Sequence, residues 1–336
     1  MRGSTRLAAA CLAAVTLAGC GSGVDLAKTT YQRTTVPATA DLGGTGDGPS
    51  GPSKTSGGDP FKAENLRKVN PCGLMDTETL TAFGEPANSR LRDYVLCSNY
   101  MKDTDGKELN FTLTLGELAS GSQAKTTKTI GGLEASESEL NDKTACFVTA
   151  ITERDPARGI TVQTGGDGPG DLCTPGRKLL ETVVNRIRDD APLLELAKGT
   201  LVDLEPCTLV PESALTPVID DGAKPRPSGL HTCDWNAAGN SFSITFKIGT
   251  KPDDLAEAAE TTPVNLGGGV TAQQKHETNS GVRCRLEWAH VPYPADSEIA
   301  EVVSIDYSRY EPQPDEDACA KTQAVAKALI PRLPSR

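Results

Sequence analysis

Asn70-Pro71-Cys72-Gly73-Leu74 and Glu205-Pro206-Cys207-Thr208-Leu209 are two versions of one opening. Cys97, Cys146 and Cys173 follow the first, and Cys233, Cys284 and Cys319 follow the second at nearly the same intervals. Four cysteines in register, with matching sequence around the first, mark an internal repeat. Leu201, Leu204 and Pro206 match Leu66, Val69 and Pro71 at a constant offset, as Leu215 matches Leu80. The expected fold is α+β, with two tandem homologous domains at 60–190 and 191–336. Each is expected to be a mainly antiparallel sheet of about four strands with flanking helices and two disulfides.

Periodicity places the elements. Leu74, Met75, Leu80 and Phe83 recur at helical spacing, with Asp76 or Thr77 as N-cap and Gly84 as a stop. Tyr94 to Met101 and Leu109 to Leu115 read as strands, the second alternating through Leu109, Phe111, Leu113 and Leu115, with Asp105-Gly106 as the turn between them. Thr144 to Thr152 and Gly159 to Thr164 form a second pair, and a helix over 175–188 gathers Leu179, Leu180, Val183, Val184 and Ile187 on one face. The polar stretch 118–143 is expected to hold at most one helix. In the second repeat, strands are expected at 232–237, 241–248, 282–291 and 300–310, a short helix at 253–260 and a last helix through 320–329. Asp315, Glu316 and Asp317 suit that helix's N-terminus. Cys233 shares a strand face with Trp235, and Cys284 with Leu286, Trp288 and His290, so both tryptophans are expected beside disulfides. Asn99 and Ala150 stand at the matching positions of the first repeat.

Residues 1–19 read as a secretory signal, with Arg2 and Arg6 ahead of an apolar run too short to span a bilayer. Leu17-Ala18-Gly19-Cys20 resembles the bacterial lipobox, which implies acylation of Cys20 and retention on the extracytoplasmic face of the cell membrane. Residues 20–59, rich in Gly, Ser, Thr and Pro, read as a disordered tether with a reach of about 35 Å. Of ten cysteines, Cys11 lies in the signal and Cys20 in the lipobox, leaving an even set of eight within the repeats. In an exported chain such a set is a disulfide framework. There is no Cys-x-x-Cys and no His/Cys cluster with zinc-ligand spacing, so no metal or other cofactor is expected. A net charge of −11 without a basic run argues against nucleic acid as a partner.

The Pro-Cys-x-Leu opening, the helix after it, Cys233-Asp234-Trp235 leading into a hairpin and the late cysteine opening the terminal helix resemble the actinobacterial lipoproteins grouped as domain of unknown function 3558. The likeness runs over 70–188 and more closely over 205–331. It implies location and fold and carries no catalytic residue, since the family has no established activity. Each set of four cysteines allows three pairings. The expected one is first with second and third with fourth, tying each helix-flanking cysteine to a nearby strand: Cys72 to Cys97, Cys146 to Cys173, Cys207 to Cys233 and Cys284 to Cys319.

The chain carries three histidines, His231, His276 and His290, without a His-Glu-x-x-His motif or a Gly-x-Ser-x-Gly elbow. The expected function is therefore a non-catalytic ligand-binding, sensing or protein-interaction module whose partner is an envelope ligand or protein. A structural or accessory subunit of an envelope complex is the alternative, and an envelope hydrolase the less favoured one. The candidate contact surfaces are the loops 85–93 and 219–230, which carry Arg90, Arg92, Lys224 and Arg226 on an otherwise acidic chain.

Overall fold

Eight strands form the first sheet: β1 (Gly84–Glu85), β2 (Arg90–Asp93), β3 (Leu96–Asp103), β4 (Glu108–Leu118), β5 (Lys128–Ile130), β6 (Leu133–Glu139), β7 (Ala145–Arg154) and β8 (Ala157–Gly166). They run in the order β1-β3-β4-β8-β7-β6-β5, with β2 also on β3. The second sheet holds β9 (Pro225–Pro227), β10 (Thr232–Ala237), β11 (Asn240–Thr250), β12 (Thr262–Gly267), β13 (Val270–Glu277), β14 (Val282–Tyr293) and β15 (Asp296–Arg309), in the order β9-β10-β11-β15-β14-β13-β12. All pairs are antiparallel. The computed structural model describes residues 58–119, 125–220 and 222–336. The signal, Cys20 and the segment up to residue 57 lie outside the described residues.

The two sheets have one plan. Cys97, Leu113, Val162 and Val148 stand side by side across the first, and Cys233, Ile244, Ile305 and Leu286 across the second. The helices repeat as well: α1 (Ala63–Leu66), α2 (Pro71–Leu74), α3 (Thr77–Thr81) and α4 (Cys173–Asp190) serve the first sheet. Serving the second are α5 (Pro206–Leu209), α6 (Glu212–Leu215), α7 (Ala256–Ala259) and α8 (Ala318–Leu329). Proline at the first turn of α2 and α5 gives up an amide that the helix does not need. Asn70 and Glu205 cap the amides that remain there. Four disulfides then tie α2 to β3 (Cys72–Cys97), β7 to α4 (Cys146–Cys173), α5 to β10 (Cys207–Cys233) and β14 to α8 (Cys284–Cys319). The buried faces of α4 and α8 pack on β7 with β8 and on β14 with β15.

Each sheet is nearly twice as wide as the four strands expected, because its outer strands carry little apolar pattern. In place of a helix in 118–143 the chain forms β5 and β6 around Gly131-Gly132, whose positive φ values (55° and 82°) suit a tight two-residue hairpin turn. β5 is the edge strand and β6 the next one in, and of their residues only Ile130, Ala135 and Ser136 are buried. The single helix expected after Cys72 breaks at Met75 into α2 and α3, with Asp76 capping the second through Thr79 N at 2.8 Å. At the other end Asp317 alone caps α8, through Ala320 N. Glu316 turns inward instead, accepting from Tyr307, Arg309 and Lys321.

Within the compact unit Ser56–Arg336 the halves exchange a side chain. Leu230, from the second half, is buried in the first core, while Tyr94, from the first half, is buried in the second. Both precede their strand cysteine, Cys97 or Cys233, by the same interval, so the exchange is reciprocal. Leu230 packs so tightly on Gly116 (φ 66°) that a Cβ there would lie 2.2 Å from its side chain. Around this seam Glu301 accepts from the Tyr94 hydroxyl, Thr200 Oγ1 (2.9 Å) and Leu201 N (2.7 Å). Arg158, at the matching position of β8, donates to Pro227 O at 3.2 Å. Arg67 donates to Leu230 O at 2.8 Å and pairs with Glu205. Asp93 accepts from Ile248 N at 3.0 Å, and His231 stacks on the Tyr94 ring at 4.5 Å.

Candidate functional site

In the second half, the Cys207–Cys233 bond holds α5 over β10, and the chain leaving α6 loops out before returning as β9. A cleft of about 380 Å³ lies beneath this loop. Its floor includes Trp235, held by the Phe242 ring at 5.8 Å, its walls include Val210, Leu215 and Ile219, and Lys224 stands on its rim. Asp220 is anchored at the rim by Arg309 Nη2 at 2.8 Å, and Arg309 reaches on to Glu316. Hydrogen bonds to Asp220 and Tyr307 raise the Arg309 pKa above its ordinary value. Burial alone would raise the Glu316 carboxyl, but hydrogen bonds from Lys321 and Tyr307 hold it down at about 2. The rim is therefore braced by fixed charges at neutral pH. The cleft is part open, and apolar residues share its lining with Glu212, Thr216, Asp220 and Lys224, so a ligand that fits it carries both apolar and polar groups.

At the matching position of the first half, Asn99 replaces Trp235, and the loop is drawn down. The Asn99 amide donates to Ala87 O (2.7 Å) and Ser89 Oγ (2.9 Å), and its carbonyl accepts from Ala87 N (3.3 Å). Ser89 passes the connection to Met75 O at 2.7 Å. A fully buried amide saturated in this way is a clamp.

The four basic residues expected on contact loops sit instead at sheet edges. Arg90 and Arg92 belong to β2, Arg226 to β9, and Lys224 directly precedes β9. Loops were expected because these three- and four-residue strands carry proline and charge, which blunt an edge against further pairing. Arg90 and Arg226 occupy equivalent rungs, opposite Ser98 and Asp234. Only Lys224 lines the cleft. Trp288 is buried in the second core on the same face of β14 as Cys284, with Leu286 between them, and His290 lines a separate hollow. Among the described residues, Glu137, Cys146 and Cys173 form a group with metal-ligand proximity, but the two sulfurs are bonded to each other and Glu137 pairs with Lys128 and Arg177. No helix of the described residues is long and apolar enough to cross a membrane.

Two antiparallel sheets with packed helices and four disulfides make this an α+β protein of the disulfide-stapled class. The family described as protein of unknown function (DUF3558) matches residues 15–186, just over half of the chain, and the chain belongs to it. The match falls on the first half, the one with Asn99 in place of the Cys-x-Trp tryptophan, and not on the second half, for which the closer likeness was expected. Among solved structures, that of DynU16, a protein from the dynemicin biosynthetic locus, aligns at 10% identity over 81% of this chain and 93% of its own, with a TM-score of 0.17. No curated protein matches.

Proposed function

We propose that this chain is an extracytoplasmic lipoprotein, anchored through lipid on Cys20, that binds an envelope ligand in its second half without catalysis. On this reading the halves are two tandem copies of an actinobacterial lipoprotein domain. The first copy acts as a stapled support and the second carries the ligand. One observation carries the proposal: the space that Asn99 clamps in the first half is an open cleft over Trp235 in the second. Among the described residues that line it, the cleft holds no assembled nucleophile and base, which favours binding over hydrolysis. An accessory role in an envelope complex remains the second reading, supported by the exposed edge residues Arg90, Arg92 and Arg226.

A thermal-shift screen of envelope metabolites tests the binding reading, because a ligand selective for the folded state raises Tm. The expected result is a stabilising compound whose effect disappears in Ala223→Trp, a substitution that fills the cleft; a shift that persists in this variant would contradict it. Anchoring is tested by labelling cells with an alkyne fatty acid. Incorporation is expected in the wild type and absent in Cys20→Ala.

A further inference from the structure

Phe242, Tyr307 and Cys284 face the second core, so their neighbours Ser241, Ser308 and Arg283 face the other side of the sheet, where they stand side by side on β11, β15 and β14. Asp306 follows on the same face of β15. Arg283 Nε donates to both of its oxygens at 2.9 Å, and Arg285 Nε to Oδ2 at 3.0 Å. Asp306 Oδ1 therefore accepts a single hydrogen bond, and Arg283 Nη1 finds only Glu277 Oε2, at 3.9 Å. The Ser241 and Ser308 hydroxyls share one bond of 2.8 Å, which uses one of their two hydrogens. Donor and acceptor capacity is thus left side by side.

These groups line a shallow hollow of about 560 Å³, and Tyr310 forms another part of its wall. Tyr310 is 75% exposed and the Arg283 side chain 42%, so a solute reaches both the ring and the guanidinium. On a chain of net charge −11 the charges lining the hollow cancel: Glu277 and Asp306 stand against Arg283 and Arg309. In the first sheet Asn110, Gly165 and Ala145 occupy the matching rung, with Gln163 in place of Asp306, so the ion pair belongs to the second half alone. We infer that this hollow binds a neutral sugar ring. A sugar ring has a largely apolar C–H face and a rim of hydroxyls that each donate and accept. The Tyr310 ring covers the apolar face, and the rim hydroxyls donate to Asp306 Oδ1 and accept from Arg283 Nη1 and the free serine hydrogen. A charge-balanced wall gives an ion no net attraction, which leaves the uncharged ligand favoured. The hollow shares no lining residue with the Trp235 cleft and does not depend on it.

Methyl glycosides of glucose, galactose and mannose are the probes, followed in ¹H–¹⁵N spectra of the unmodified ¹⁵N-labelled protein. At least one is expected to shift the Arg283 Nε–H and the Ser308 and Tyr310 amides, with saturation. Tyr310→Ala, at an exposed position, is expected to leave Tm unchanged and to weaken that binding about five- to tenfold, as loss of a stacking ring implies. Ala223→Trp, which fills the other cleft, is expected to leave it as it is. The inference is overturned if none of the three shifts these groups at tens of millimolar, if Tyr310→Ala binds as the wild type does, or if Ala223→Trp abolishes binding. A disaccharide of the bound sugar that binds more tightly than its methyl glycoside assigns the site to a glycan chain, and equal binding assigns it to a free sugar; both uphold a sugar ring on Tyr310.

Discussion

Asn99 and Trp235 occupy the same rung of the same fold and do opposite things. The amide of the first half spends its hydrogen-bonding groups on the neighbouring loop and closes it, while the indole of the second, itself buried in the core, lies beneath a loop that leaves a cleft. There the first half is internally complete and the second has capacity for something else. A repeated frame thus allows one copy to supply stability while the other departs from it.

The largest predicted effect concerns what the halves share. Tyr94→Ala should cost about 3–5 kcal/mol and Leu230→Ala about 3 kcal/mol, as expected for emptying a buried large side chain. Each core contains a side chain of the other half, so urea unfolding of either variant should remain a single transition. Two separate transitions, with only one half weakened, would break the reciprocity.

Asp93 and His231, one from each half, sharpen the comparison through opposite pH dependences. Burial outweighs the hydrogen bonds from Ile248 and Tyr94 and the Lys247 charge, and raises the Asp93 carboxyl from 3.8 to about 6. The folded chain keeps a proton that the unfolded chain releases, so this group's contribution falls as pH rises between those values. Burial, with the Arg67 charge, lowers His231 from 6.5 to about 3, so its contribution is lost as pH falls through that window. Asp93→Asn should therefore gain about 2–3 kcal/mol at pH 7 and nothing near pH 4, and His231→Phe should flatten the acid limb, both read by urea midpoints against pH. Stability profiles parallel to the wild type would contradict the assignment.

A smaller loss, about 1–2 kcal/mol, is expected from Asn99→Ala, which leaves Ala87 and Ser89 without their partner. The same variant should free the first loop to behave like the second.

What the sequence disclosed follows from which side chains face a core. Leu109, Phe111, Leu113 and Leu115 announce β4 because every second residue is buried, and the helix face from Leu179 to Ile187 is equally plain. The edge strand β5 and its neighbour β6 hid because solvent on their outer face permits Lys, Glu and Ser; Gly131-Gly132 was the available signal. The seam was silent for a different reason: Tyr94 and Leu230 look like ordinary core residues, and nothing local says whose core they enter. Glu301, set between Ala300 and Val302 in a buried run, and Arg158 in the matching position were the clues, since a charge in a core strand needs a partner from elsewhere. That Asn99 and Trp235 correspond was legible, but the cleft depends on a loop path that only the packing reveals.

Ala87 and Ala223 stand at equivalent positions in the two loops, so amide hydrogen exchange at these alanines tests the account most directly. With Ala87 N bonded to Asn99 and Ala223 lining the cleft, Ala87 should exchange at least about tenfold more slowly than Ala223, after correction for intrinsic rates. Equal protection of the two amides would mean that the halves do not differ in the way described.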